Sequence, residues 1–389
     1  MIALSKMVGG EVTVSERLTY KSREKIPVRL VEASKRPVPV TVWNTTARCN
    51  LRCVHCYAEA GSAKKGELTH EEAVAFIDDL ADMKVPVLLL SGGEPLMRED
   101  IFELISYAKS KGLHVSLSTN GTLISEEVAE KLAKAGVDYV GVSLDGMPET
   151  NDRFRGLKGA FERAFEGLVN AKEAGILTGI RFTVTKYNLK DVPEVVNLLV
   201  ENEIPRFCLY HLVPSGRADF SIDIAFAERR ELMEWLFEKA LELRDAREVT
   251  EILTVDNPAD GVFFYLKLRE LDESLAEDAL QFLRYRGGDS SGYRIADVDM
   301  FGNVHPNQFW FDYTVGNIRE RKFSEIWLNP TDELLIKLRE KEKHIRGYRC
   351  GRCRFKSVCG GFRLRAMRNG DLWGDDPSCY LYEDEIGIA

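Results

Sequence analysis

From Val40 onward, short apolar runs alternate with amphipathic stretches, and the alternation predicts the architecture. Val40-Thr41-Val42-Trp43 is a β-branched and aromatic run that reads as a strand ending in a loop. Thr69-His70-Glu71-Glu72 has the form of a capping box and starts a helix to about Met83, and Val85 to Leu90 is a continuous apolar run of the kind buried in parallel sheets. A helix over about Asp100 to Lys109 leads to a strand at His114 to Ser118. Ser125 caps a helix that stops at Gly136, ahead of a strand at Tyr139 to Leu144. Ala160 to Ala174 is helical and closes at Gly175 before a strand at Ile180 to Thr185. Asp191 with Glu194 begins a helix to about Val200, Arg206 to Leu212 supplies a further strand, and Phe226 to Leu243 a sixth helix. Six strands joined by right-handed helical crossovers form a parallel α/β sheet curved toward a barrel, six units being too few to close one.

The flanks differ. Residues 1–36 are mixed and rich in Lys and Arg, with a short amphipathic piece near Val28 to Ala33, and read as an extension packed on the barrel at 37–248. Over 249–292 the alternation stops; Ala259 to Arg286 has a helical pattern, and the segment reads as a linker. In 293–389, Tyr293 to Asp299 and Val304 onward flank Phe301-Gly302-Asn303, a hairpin signal, and a capped helix follows at Phe323 to Trp327.

A length of 389 residues, 44% of them apolar, suffices for a large domain and a smaller one. A net charge of −9 argues against a nucleic-acid footprint or an anionic membrane surface, so an anionic substrate needs a local basic pocket. The opening Met1-Ile2-Ala3-Leu4-Ser5-Lys6 carries no export signal, and no apolar run approaches the ~18 residues of a membrane span, so a soluble cytoplasmic protein is expected.

Seven of the eight cysteines fall in two clusters, which suits metal sites in a reducing compartment; Cys208 reads as a small buried hydrophobe. Cys49-x3-Cys53-x2-Cys56 follows the first strand. Three thiolates on a [4Fe–4S] cluster leave one iron open to a non-protein ligand; Cys53-x2-Cys56 alone also suits a zinc knuckle. The other strand ends carry Ser91-Gly92-Gly93-Glu94-Pro95, Ser118-Thr119-Asn120-Gly121 and Ser143-Leu144-Asp145-Gly146, each by itself an ordinary turn sequence. Strand ends are where such sheets place their chemistry. Cys350-x2-Cys353-x5-Cys359-x19-Cys379 makes a complete four-thiol cage, for zinc or for a second cluster.

The three-Cys loop with these strand ends in order resembles the radical S-adenosylmethionine (SAM) superfamily, and the resemblance implies a partial (β/α)6 barrel whose cluster is chelated by SAM and cleaves it to a 5′-deoxyadenosyl radical. His55 stands where that motif usually has an aromatic residue, and Tyr57 follows Cys56. The resemblance implies that Gly92, Gly93 and Glu94 bind the methionine amine, that Tyr57, Ser118, Asn120, Ser143 and Asp145 lie along the cofactor, that Arg155 pairs with its carboxylate, and that Leu212 and Val213 lie near the adenine. The second thiol set resembles a SPASM/Twitch extension; Asn307 stands where a further Cys is expected, which implies the shorter form with one auxiliary [4Fe–4S] cluster.

Met1-Ile2-Ala3-Leu4-Ser5-Lys6, Trp43-Asn44-Thr45-Thr46, His305-Pro306-Asn307-Gln308-Phe309-Trp310 and Gly316-Asn317-Ile318 are similar to the radical SAM enzymes that edit tetrapyrrole side chains in heme biosynthesis. That branch implies an iron tetrapyrrole substrate, a small electron donor such as ferredoxin or flavodoxin, and removal of two acetate groups from didecarboxysiroheme to give iron-coproporphyrin. Propionate removal, decarboxylation, or maturation of a peptide or natural product are the alternatives. A polycarboxylate substrate makes Arg284, Arg286, Arg294 and Arg363 candidate clamps, and His305 a candidate substrate or heme-iron contact.

Overall fold

The strands expected from the apolar runs all form. In the computed structural model, which describes residues 1–10 and 38–388, these are β1 (Ile2–Ala3), β2 (Val40–Asn44), β3 (Leu88–Ser91), β4 (Val115–Thr119), β5 (Tyr139–Ser143), β6 (Leu177–Val184), β7 (Arg206–His211), β8 (Glu251–Val255), β9 (Ile295–Val298), β10 (Asn303–His305) and β11 (Gly316–Asn317). The amphipathic piece expected near Val28 to Ala33 lies outside the described residues. Among the described residues the strands make one sheet in the order β1-β8-β7-β6-β5-β4-β3-β2-β9-β10-β11. Strands β2 to β9 run parallel, with β2 pairing β3 on one side and β9 on the other. The parallel arrangement brings the carboxyl ends of all these strands to a single rim.

Local chemistry accounts for the helices that cross between strands. Thr69 and Glu72 form a reciprocal capping box at the start of His70–Met83, and Ser125 caps Glu126–Ala135, which ends on Gly136 in the left-handed region at φ 90°. Cys208 is buried within β7 against Tyr210 and Leu253.

Three features depart from the sequence reading. The alternation does not stop at residue 249: Glu251–Val255 adds a further parallel strand beside β7, its Glu251 paired with Arg206 in the core. A charged first residue and a Thr mask its apolar character. The helical stretch that follows is two helices, Ala259–Leu271 and Glu273–Arg286, because Asp272 turns its carboxylate onto the amides of Ser274 and Leu275 and starts the second. An additional helix, Pro148–Arg155, follows β5.

At one edge, β1 pairs antiparallel with β8, and the Ser5 hydroxyl accepts a bond from the Ile252 amide. At the other, β9 continues the barrel sheet and carries the β10–β11 meander, so the carboxyl-terminal segment is built directly onto the barrel. Among the described residues no helix is long and apolar enough to cross a membrane.

Candidate active site

The loop bearing Cys49, Cys53 and Cys56 is pinned by backbone hydrogen bonds and by an arginine side chain. Gly93 and Glu94 donate their amides to the carbonyls of Thr46 and Arg48, each at 2.7 Å, and Val54 donates to Phe154 of the Pro148–Arg155 helix at 3.0 Å. Arg217, beyond β7, donates Nε to the Cys53 carbonyl at 2.8 Å. The two glycines are required by this contact: a Cβ on Gly93 would lie 2.0 Å from the Arg48 carbonyl oxygen, and Gly92 sits at φ 131°. Their close approach is therefore to the thiol loop itself.

All three thiols line a cavity of about 150 Å³ at the rim, together with Tyr57, Gly92, Gly93, Ser118, Asn120, Ser143, Arg155, Leu212 and Val213. Tyr57 reaches across it to Asn44 Oδ1 at 3.0 Å and Ser91 Oγ at 3.1 Å. Asn120 bonds Asn50 of the thiol loop at 2.8 Å. Glu94 and Asp145 stand behind this lining. Glu94 is fully buried and accepts from Thr119 Oγ1 at 2.7 Å and the Asn120 amide at 2.8 Å, so it braces the β4 loop; burial pushes its carboxyl upward. Asp145 is ion-paired with Arg155 and accepts the Thr183 amide. Arg155 also points Nη1 at Cys53 Sγ, 3.5 Å away, while its buried Nε has no partner. His55 lies 3.4 Å from Asp145, and burial lowers its pKa to about 4, so the imidazole is neutral at pH 7.

The other four thiols, Cys350, Cys353, Cys359 and Cys379, line a separate, small cavity of about 20 Å³. Each sulfur faces an N–H: Asp376 to Cys350 at 3.5 Å, Phe355 to Cys353 at 3.3 Å, Gly361 to Cys359 at 3.5 Å, and Arg349 to Cys379 at 4.0 Å. Burial nonetheless pushes Cys350 up to about 11, as it does Cys49. Buried thiols of this kind become thiolates when a metal displaces the protons. Each thiol set lines a cavity, the three-thiol set an open one and the four-thiol set a closed one.

A second chamber of about 320 Å³ continues inward from the first, sharing Val42, Leu89, Arg181, Tyr210, Asp256 and Gln308 with it. Its far wall holds Arg286 and Arg294; burial and the neighbouring Arg294 lower the pKa of Arg286, and Arg294 stacks on Tyr285 at 4.3 Å.

A profile of the radical SAM superfamily matches residues 43–199. The chain is 47% identical over 395 residues to Fe-coproporphyrin III synthase of Methanosarcina barkeri, covering 100% of this chain and 99% of the relative. The chain belongs to the radical SAM superfamily. It is also 42% identical to pre-heme d1 synthase of Dinoroseobacter shibae, over 91% of this chain and 89% of that one. With AdoMet-dependent heme synthase of M. barkeri the figures are 37%, 87% and 95%. This radical SAM protein is thus a member of the heme-biosynthesis branch, and the superfamily assignment implies a [4Fe–4S] cluster and SAM. Streptococcus suis SuiB bound to S-adenosylmethionine shares the fold, with a TM-score of 0.70 and 20% identity over 95% of this chain and 86% of that one.

Of the arginines and histidine expected to meet substrate, this radical SAM barrel brings Arg286 and Arg294 to the lumen and the others elsewhere. Arg284 is exposed on the helix exterior, 4.0 Å from Glu277. Arg363 is fully buried beside the four-thiol site, donating to the carbonyls of Leu372 and Gly374. His305 is also buried, with Nδ1 2.7 Å from the Tyr313 carbonyl and Nε2 3.6 Å from Asp299; hairpin register turns it into the module, away from both chambers. The sequence reading missed Arg181, Tyr210, Asp256 and Gln308. Arg181 and Tyr210 are singled out only by the inward register of β6 and β7, Asp256 only once β8 is recognised, and Gln308, in the loop after β10, by no local signal.

Proposed function

We propose that this enzyme removes the two acetate side chains of didecarboxysiroheme to give iron-coproporphyrin. The observation that carries the reading is the continuous lumen, which joins the three-thiol rim to a chamber whose Arg181, Arg286 and Arg294 make no carboxylate ion pair among the described residues. A polycarboxylate macrocycle is the ligand such a wall recognises. The end-to-end identity with Fe-coproporphyrin III synthase supports the same reading.

In this proposal Cys49, Cys53 and Cys56 hold the SAM-binding cluster, which with SAM supplies a 5′-deoxyadenosyl radical. Tyr57, Ser118, Asn120, Ser143 and Arg155 position the cofactor at the rim, and Leu212 and Val213 cover its apolar part. Gly92 and Gly93 line the rim and fix the thiol loop, and Glu94 and Asp145 act behind it by fixing the β4 loop and Arg155. Cys350, Cys353, Cys359 and Cys379 hold an auxiliary [4Fe–4S] cluster. A ferredoxin or flavodoxin delivers electrons in the cytoplasm; the net charge of −9 disfavours nucleic acid as a partner.

The test is to give oxygen-free enzyme SAM, a low-potential reductant and, separately, didecarboxysiroheme, iron-coproporphyrin or a candidate precursor peptide. Consumption of didecarboxysiroheme with appearance of iron-coproporphyrin by mass is expected. Consumption of iron-coproporphyrin or of the peptide alone would replace the assignment with one of its alternatives.

A further inference from the structure

The junction between the two chambers carries a guanidinium and a carboxyl group that make no ion pair with each other. Arg181 extends from β6 into the lumen, its guanidinium carbon 4.6 Å above the Tyr210 ring centroid. Gly141 on the adjacent strand makes room for it: a Cβ there would stand 3.0 Å from Arg181 Cδ. A guanidinium stacked on a ring keeps its N–H donors at its edges. The charged or polar groups around this one are the phenols of Tyr210, Tyr139 and Tyr57, the Cys208 thiol and the Asp256 carboxyl. Among the described residues it makes no ion pair with a carboxylate.

Asp256 lies across the junction, just past β8. Its backbone is in the left-handed region at φ 66°, unusual for a residue with a side chain. Carboxylate Oδ2 is buried and has no hydrogen-bond partner. Burial pushes the carboxyl upward, against the pull of the Met1 amino group, Arg365 and Arg181; Asp289 is the other charge facing it. An unpaired buried oxygen costs stability, and its place on the cavity wall marks it as a ligand contact.

We propose that Arg181 and Asp256 together bind one carboxyl group of the substrate, the acetate to be removed. Arg181 donates N–H bonds to one oxygen, and the partnerless Asp256 Oδ2 meets the other across one shared proton. This selects the side chain that faces the three-thiol rim; Arg286 and Arg294 hold carboxylates farther in. The inference rests on the acetate-removal reading above.

The test measures binding of two probes by absorbance titration, without SAM, to cluster-loaded enzyme of matched iron content. Didecarboxysiroheme carries the acetates and iron-coproporphyrin lacks them. Arg181→Gln is expected to weaken didecarboxysiroheme by about tenfold or more and iron-coproporphyrin by less than about twofold, with part of the loss recovered in Arg181→Lys. Binding of didecarboxysiroheme to the wild type is expected to weaken from pH 6 to 8.5, and Asp256→Asn, which keeps a donor, to flatten that profile. If Arg181→Gln weakens both probes alike, or neither, the selective role of Arg181 is wrong; parallel pH profiles would remove Asp256 from it. A wild type that binds no tetrapyrrole overturns the functional reading together with this inference, whereas binding unaffected by Arg181→Gln overturns the inference alone.

Discussion

The two thiol sites differ in what surrounds them. Cys350, Cys353, Cys359 and Cys379 enclose about 20 Å³, and each sulfur is met by an N–H from a nearby loop. Cys49, Cys53 and Cys56 form one side of a cavity of about 150 Å³ whose other sides are strand ends, apolar side chains and the arginines Arg155, Arg181 and Arg217. Four thiols can complete a cluster's ligand set, whereas three leave a position that faces open space. The contrast teaches that number of thiols and shape of cavity agree at each site: four thiols face a closed pocket, and three face one with room for a bound cofactor.

Breaking the open site has the largest expected effect. Cys53→Ala should abolish SAM cleavage and remove about four irons per chain, leaving about four at the other site; iron analysis and 5′-deoxyadenosine formation measure both, and retained cleavage would refute the division of roles. Cys359→Ala is the mirror experiment. It should also lose about four irons and slow product formation by about tenfold or more, while SAM still perturbs the remaining cluster. Loss of the SAM response in that variant would mean that the sites are not separable.

Arg155→Met sharpens the comparison by asking what holds the open site's wall. It strands the buried Asp145 carboxylate, a change of about 3–5 kcal/mol, and the double variant with Asp145→Asn should recover part of it in denaturant unfolding. Additive losses would show that the pair is not coupled.

The smallest effect concerns the link between the modules, where Asn44 beside the thiol loop donates to Asp297 on β9 at 2.7 Å. Burial raises Asp297 from 3.8 to about 7, so the fold favours its protonated form. That contribution is complete below about pH 4 and is lost as the pH rises through 7. Asp297→Asn should therefore gain on the wild type between pH 6 and 8, by about 1–2 °C in melting temperature. An unchanged difference across that range would contradict the assignment.

Much of this was legible from residue patterns. Capping boxes, glycine stops and apolar runs locate the barrel strands because each is a local signal, and thiol spacing is local too. What the chain order concealed depends on register and distance. Glu251–Val255 opens with a charge that finds its partner on β7, so it does not look like a buried strand. Arg363 and His305 look like surface clamps until packing buries them, and Arg181 and Asp256, 75 residues apart, acquire meaning only when β6 and β8 line one lumen.

The central claim is that the three-thiol site keeps an iron position for SAM. Electron paramagnetic resonance of the reduced, oxygen-free protein, recorded before and after SAM is added, tests it most directly. The account predicts a cluster signal that shifts with SAM in the wild type and shows no such response in Cys53→Ala. A wild-type spectrum indifferent to SAM, or zinc in place of iron at Cys49, Cys53 and Cys56, would contradict it.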